Sequence, residues 1–211
     1  NTPEPDEVGL FILPLSHSFG LTVMNVGMLF PNMSVLMPWF DLEEACRMIE
    51  KYKVTGFAGV PAMFAMFLNT PEITDKYDLS SLERCSSGSA PLPVEVLKGF
   101  EEKFDCIILE GYGLSEAAPV VTAHYVSRER KPGSIGQVIP GVEIKVVDED
   151  GKEVATGEIG ELIVKGPNVS PGYYKLKEET EKTFKNGWLH TGDMAKMDED
   201  GYVFIVDRKK D

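Results

Sequence analysis

Up to about residue 125, short apolar runs alternate with amphipathic segments. VGLFILPL (8–15) and MSVLMPW (33–39) have the continuous apolar character of buried strands. DLEEACRMIEKYK (41–53) carries a helical pattern, with Asp41 placed to cap it and Glu44, three residues on, as its capping-box partner. VTGFAGV (54–60), LERCSSG (82–88) and DCIILEG (105–111) are further strand candidates. PAMFAMFLN (61–69) and PVEVLKGFEEKF (93–104) fill the gaps between them as helices. Strands alternating with helices predict a parallel α/β sheet with flanking helices.

From about residue 132 the period becomes two. VEIKVVDEDGKEV (142–154) and GEIGELIVKGP (157–167) read as strands joined by Asp-Gly and Gly turns, and DMAKMDEDGYVFIVD (193–207) repeats that hairpin pattern around Asp200-Gly201. This half is expected to be antiparallel, a small barrel or sandwich. RERKPGSIG (128–136), polar and containing Gly and Pro, marks the change. The chain is therefore divided into an α/β subdomain (1–131), a smaller β-rich subdomain (132–206) and a short tail (207–211).

Composition narrows the function classes. The chain has 211 residues, 43% of them hydrophobic, enough for one large or two small cores. With 34 acidic against 21 basic side chains the formal net charge is −13, which argues against general nucleic-acid binding. Small anions stay open, because backbone N–H groups bind them whatever the net charge. Cys46, Cys85 and Cys106 are widely spaced and show no metal-ligand pattern, and their odd number points to a reducing, cytoplasmic compartment. No basic-then-apolar leader is visible. Residues 8–40 carry no Asp, Glu, Lys or Arg, but Pro14, Pro31 and Pro38 interrupt them. A spanning helix wants about 20 unbroken, mostly apolar residues. A buried strand–helix–strand is expected instead, with peripheral membrane contact left open.

Ligands of open parallel sheets sit outside the carboxyl ends of the strands. Two such junctions stand out. CSSGSAPL (85–92) leaves one strand through small residues, and ILEGYGLSE (108–116) leaves the next. Small residues admit a flat ligand close to the backbone, and Tyr112 offers a ring to stack on it. Two tight turns would look the same. Gly-x-x-x-x-Gly-Lys-Ser/Thr and Gly-x-Gly-x-x-Gly are both absent from the sequence, which argues against P-loop and dinucleotide-binding folds. Ser115 is able to donate to a phosphate oxygen, and Glu116 to hold a Mg²⁺ that bridges phosphates. Alone, Glu116 reads rather as a solvated or helix N-terminal carboxylate. In WLHTGDMA (188–195), Asp193 follows a Thr-Gly turn, where a carboxylate can accept from two vicinal hydroxyls such as those of a ribose. Arg208 closes a hairpin strand beside a Lys-Lys pair, within reach of the same sugar or a phosphate. Taken singly, these two also read as a turn residue and a surface charge.

The series PLSHSFG, SSGSAPL, EGYGLSE, PGSIGQVIPG, GELIVKGPNVSPGYY, WLHTGDMA and GYVFIVDRKKD resembles, in order and separation, the adenylate-forming superfamily. That superfamily holds acyl- and aryl-CoA synthetases, firefly luciferase and peptide-synthetase adenylation domains. The likeness covers essentially the whole chain and looks most like fatty acyl-CoA ligases. It implies an acid that attacks ATP to give an acyl-adenylate, which coenzyme A then captures as a thioester.

By this resemblance Gly88, Ser89 and Ala90 border the adenine and the acyl carboxylate. Glu110, Gly111, Tyr112, Gly113 and Leu114 form the adenine segment, with Tyr112 stacking. Ser115 contacts phosphate, Glu116 binds Mg²⁺, and Asp193 holds the ribose with help from Arg208. His17, Phe19, Gly59 and Ala90 line the acyl pocket, although His17 also reads as a packed core histidine. Lys210 sits at the hinge to a C-terminal lid. No Asp falls in residues 8–40, so an amino-acid substrate is disfavoured and apolar residues such as GVPAMFAMF (59–67) suit a fatty acid. A coumarate-type aryl acid is the alternative, as is a non-catalytic nucleotide-binding or interaction module. The family's phosphate loop and its lid lysine are not in this sequence, so little turnover is expected from it alone.

Overall fold

The alternation read from the first half is what the chain builds. The computed structural model describes residues 7–30 and 32–208. They form two compact units, one running to Glu110 with Tyr125–Ser127, the other holding Gly111–His124 and the chain from Arg128 onward. The lasting passage into the second unit thus falls within RERKPGSIG.

The first unit runs β1 (Val8–Phe11), α1 (Ser18–Leu29), β2 (Met33–Leu36), α2 (Leu42–Tyr52), β3 (Gly56–Gly59), α3 (Pro61–Asn69), α4 (Pro71–Thr74), β4 (Arg84–Ser87), α5 (Val94–Phe104) and β5 (Ile107–Gly113). Its strands are parallel, in the order β2-β1-β3-β4-β5. Helix α2 starts where the pattern placed it: Asp41 Oδ1 accepts from the Glu44 N–H at 2.8 Å. The reciprocal half of the capping box is not formed, because the Glu44 carboxylate takes the Arg47 guanidinium instead, at 2.8 and 2.5 Å. Leu42, Ala45, Cys46 and Ile49 turn the apolar face of α2 inward. At the centre of this unit Phe57 stacks on Phe64 at 5.2 Å, Phe100 meets Phe64 edge-on at 5.1 Å, and Phe104 lies 4.6 Å from Phe100. Such offset and edge-to-face pairs add to the area that each ring buries.

Three expectations need correction here. Residues 33–39 do not form a buried strand: β2 stops at Leu36, lies at the sheet edge, and buries only Val35. Within the uncharged stretch, α1 buries only Gly20 and leaves Met28 and Leu29 about three-quarters exposed, so apolar composition did not translate into burial. Among the described residues no helix is long and apolar enough to cross a membrane. Finally, the segment Gly111-Tyr112-Gly113 is not a turn. Strand β5 continues through it, because a new antiparallel partner takes up its backbone: Gly111 pairs with Ala123 and Tyr112 with Thr122.

The second unit takes those last residues of β5, then β6 (Val120–Ala123), β7 (Gln137–Val138), β8 (Glu143–Val147), β9 (Gly160–Lys165), α6 (Lys177–Thr183), β10 (Phe184–Lys185), β11 (Trp188–Met197) and β12 (Val203–Arg208). A smaller antiparallel sheet has the order β10-β11-β9-β8, with β12 on β11. Leu162, Val164, Leu189, Ala195 and Val203 are among its buried apolar side chains, and Val121 of β6 joins the same core. The expected hairpin at Asp200-Gly201 forms, with Gly201 at φ 78° and Asp198 Oδ1 accepting from the Asp200 and Tyr202 N–H groups at 3.0 and 2.9 Å. Lys131 lies between the Asp198 and Asp200 carboxylates, 2.6 Å from each, and over the Tyr202 ring. The segment before β7 is thereby tied to the hairpin. At 142–154 only the first strand is regular, since after the Asp150-Gly151 turn the return is a single bridge, Val147 to Glu153.

Candidate functional site

Strand β11 is interrupted where it matters. It pairs with β9 as Leu189 to Val164 and His190 to Ile163, and resumes as Met194 to Glu161 and Ala195 to Gly160. Thr191, Gly192 and Asp193 therefore face the single residue Leu162, a bulge of two extra residues. Bulges re-aim side chains at the expense of ladder bonds, and here side chains replace those bonds. Thr191 Oγ1 donates to Leu162 O at 2.7 Å and accepts from the Asp193 N–H at 3.0 Å. Glu161 Oε1 accepts from the Gly192 N–H at 3.1 Å. Gly192, at φ 76°, takes a conformation that a side chain would disfavour.

The bulge carries Asp193 to Tyr112 and Arg208. The Tyr112 hydroxyl donates to Asp193 Oδ2 at 2.5 Å, and Arg208 Nε lies 3.4 Å from Oδ1. Arg208 faces Asp193 across the β11–β12 pair. Its side chain is 65% exposed, so this ion pair contributes little to stability. Burial first, and then the Asp193 carboxylate, push the Tyr112 phenol well above its usual value. Three of the expected nucleotide residues are thus brought together.

After Tyr112 the backbone closes tightly. A Cβ at Gly113 would meet Pro119 O at 2.1 Å, so only glycine fits. The Leu114 N–H bonds the same carbonyl at 2.9 Å. Ser115–Ala117 then form a 3-10 turn that presents Glu116. The 166–174 loop holds Glu116 twice: the Ser170 N–H donates to its backbone carbonyl at 2.7 Å, and the Tyr173 hydroxyl to its Oε1 at 2.7 Å. Asn168 Nδ2 ties the same turn through Ala117 O and Val120 O, at 2.7 and 3.0 Å. Glu116 Oε2 makes no hydrogen bond among the described residues, which suits ligation of a hard cation. No group of three or more His, Cys, Asp or Glu is gathered for a metal among those residues.

The remaining expected residues belong to the first unit. Gly59 and Gly88 meet at the carboxyl ends of β3 and β4, where the Gly88 N–H donates to Gly59 O at 3.3 Å. A Cβ at Gly59 would press on the Phe57 and Phe64 rings at 3.1 and 3.2 Å. Ser89 and Ala90 are exposed, and Ser89 holds φ at 70°. Beside them Ser87 Oγ is buried without a hydrogen-bond partner. Glu110 is buried and pairs in register with Ser87. His17 is not a core histidine: it is exposed, and its Nδ1 caps α1 by accepting from the Phe19 N–H at 3.2 Å. Lys210 lies outside the described residues.

Sequence reasoning missed Thr191, Glu161, His190 and Tyr173. All four stand in the quoted segments GELIVKGPNVSPGYY and WLHTGDMA, but Thr191, Glu161 and His190 depend on a strand register, and Tyr173 on a loop contact, that spacing does not reveal.

A half-buried carboxylate at a 3-10 turn and a bulge-mounted aspartate shared by tyrosine and arginine define a class when the whole chain is compared with known proteins. Residues 1–174 match the AMP-binding enzyme family, and the chain belongs to that family, within the adenylate-forming superfamily. It is 46% identical over 210 residues to the long-chain-fatty-acid–CoA ligase of Bacillus subtilis, covering 99% of this chain and 37% of that one. The chain therefore spans little more than a third of that relative's length. ATP-bound MatB from Rhodopseudomonas palustris is similar at a TM-score of 0.88 and 36% identity, over 98% of this chain and 41% of its own. O-succinylbenzoate coenzyme A synthetase from Bacillus subtilis, solved with ATP and magnesium ion, is similar at 0.84 and 29%, over 97% and 42%.

Proposed function

We propose that this chain is the nucleotide-handling segment of an ATP-dependent acid–CoA ligase acting on medium- or long-chain fatty acids. The observation that carries the reading is the bulge in β11, which sets the Asp193 carboxylate beside Tyr112 and Arg208. A carboxylate with two oxygens can accept from both vicinal hydroxyls of a ribose. In this reading Asp193 holds the ribose, Arg208 supports it, and the Tyr112 ring packs on adenine beside Gly88, Ser89 and Ala90. Ser115 donates to phosphate, and Glu116 gives one carboxylate oxygen to Mg²⁺. Bound there, magnesium would neutralise phosphate charge during transfer.

The substrate carboxylate would then attack the α-phosphorus, and the bond to pyrophosphate breaks. The thiol of coenzyme A next displaces AMP from the acyl carbon, leaving a thioester. His17, Phe19, Gly59 and Ala90 are proposed for the acyl side, and Lys210 for the hinge. The division at 131/132 is proposed as the line between the adenine-and-acyl part and the β-rich part. The 46% identity to a fatty-acid ligase supports an alkyl acid. Three free, buried cysteines support a cytoplasmic setting. Turnover by the 211 residues alone is expected to be absent, since the family's phosphate loop and lid lysine are not among them.

Thermal-shift titration with stable analogues of palmitoyl- and coumaroyl-adenylate tests the reading. Greater stabilisation by the palmitoyl analogue is expected. Stabilisation by neither, together with no AMP binding in calorimetry, would refute a nucleotide site.

A further inference from the structure

An aspartate that is to meet both hydroxyls of a ribose must be held in one direction by its neighbours. On the β9 side the main chain of Asp193 is not held by a ladder, since the bulge lifts residues 191–193 away from that strand, and only its pairing with Arg208 of β12 holds it on the other side. We infer that Glu161 is a positioning residue for the ribose site: it fixes the Gly192 peptide and the His190 ring, and through them the direction of the Asp193 carboxylate. This inference rests on the proposed nucleotide reading.

The geometry is specific. Glu161 stands opposite Met194, the residue after Asp193, where the two strands come back into register. Its side chain is only 13% exposed, and it spreads its two oxygens over the bulge. Oε1 accepts from the Gly192 N–H at 3.1 Å, and Oε2 lies 3.2 Å from His190 Nδ1. An ionised carboxylate only accepts, so His190 presents Nδ1–H to it. One side chain thereby grips the residue before the bulge and the glycine at its crest.

Gly192 is the weak point of this arrangement. At φ 76° with open space around its α-carbon, it has no side chain and no packing of its own to hold the peptide plane. The two peptides that flank the Gly192 α-carbon are then each held by one side-chain contact, Thr191–Gly192 by Glu161 at the Gly192 N–H and Gly192–Asp193 by Thr191 Oγ1 at the Asp193 N–H. Thr191 anchors to β9 through a backbone carbonyl, whereas Glu161 anchors through charge. Charge-assisted bonds are the shorter and stronger kind. Loss of Glu161 would let the Thr191–Gly192 peptide rotate and, through the unrestrained glycine, swing Asp193 away from two hydroxyls that it must meet together.

The test compares AMP with 2′,3′-dideoxy-AMP, which lacks the diol that Asp193 is proposed to hold. Calorimetry on the chain is expected to show AMP bound more tightly than the dideoxy nucleotide. Glu161→Ala should weaken AMP roughly tenfold, the size expected for one charge-assisted bond. It should leave dideoxy-AMP unchanged. Glu161→Gln, which can still accept from Gly192, should restore the preference. Should the alanine variant unfold, Glu161→Met keeps the side-chain volume and is expected to behave as alanine would. Equal loss of both nucleotides, or loss of neither, while the unmodified chain discriminates, overturns the positioning role alone. An unmodified chain that binds neither or treats them alike overturns the nucleotide reading, and this inference with it.

Discussion

Tyr112 and Asp193 stand 81 positions apart and share a hydrogen bond of 2.5 Å, between the last residues of β5 and the bulge of β11. The aspartate arrives there because β11 carries two residues more than β9 needs. The tyrosine arrives because β5 outruns its parallel neighbours and finds an antiparallel one.

This pairing separates binding from stability. On the proposed reading, Asp193→Ala should cost AMP more than tenfold in affinity, because the ribose would lose its acceptor. Tyr112→Phe keeps the ring and should lower stability by about 1–2 kcal/mol while changing AMP affinity much less. Urea unfolding and calorimetry on both variants give the comparison. A tyrosine variant that binds as poorly as the aspartate variant would place the hydroxyl on the ligand.

The same bond sets an alkaline limit. Burial and the nearby carboxylate raise the Tyr112 phenol above its unfolded value. The unfolded chain therefore gives up this proton first, so the native state binds more protons above pH ~10 and stability falls with rising pH. Below that pH both states are protonated and the contribution is fully present. Unfolding free energies measured from pH 9 to 11 should fall less steeply for Tyr112→Phe than for the unmodified chain.

Glu116 should matter to metal-dependent ATP binding and little to AMP. Glu116→Ala is expected to weaken ATP in the presence of Mg²⁺ by tenfold or more, with AMP affinity nearly unchanged. Tyr173→Phe removes the hydroxyl that steadies Oε1 and should show a smaller loss of the same kind. Equal losses for ATP and AMP would remove the metal role.

The three thiols should be silent in the native state. Burial pushes the Cys46 thiol up to about 12, and burial with the neighbouring Cys106 raises Cys85. A thiol-specific disulfide reagent at pH 8 should find no reactive sulfur in the folded chain and three after denaturation. Fast labelling of a native cysteine would contradict the burial.

The aromatic cluster should dominate the stability of the first unit. Phe100 is fully buried and touches Phe57, Phe64, Phe67 and Phe104. Phe100→Ala should cost about 3–5 kcal/mol in chemical denaturation, and Phe100→Leu clearly less.

Much of the fold was legible because it rests on local pattern. α2 and α3 follow from a capping aspartate, an N1 proline and apolar spacing, and β11–β12 from an Asp-Gly turn. What failed was decided by neighbours. MSVL is as apolar as any central strand, yet it lies at the edge because nothing in the described chain pairs beyond it. KEETEKT (177–183) forms α6 with no buried residue, so it offers no apolar period to read. Gly111-Tyr112-Gly113 looks like a turn until Thr122 and Ala123 are known to pair with it. At the site, Asp193, Arg208 and Tyr112 were named from motif likeness, while Glu161 and Thr191 were not, since their part is set by a register shift.

The bulge in β11 has one more property. Side chains alternate faces along a strand, so a single inserted residue would turn every later one over. Two inserted residues restore the alternation, and Leu189 before the interruption and Ala195 after it are both buried. The core sees an unbroken sheet while the surface gains a short segment released from the β9 ladder. Removal of Thr191 and Gly192 together should leave β11 paired and packed but without its aspartate at Tyr112, a sheet that folds and has lost its site.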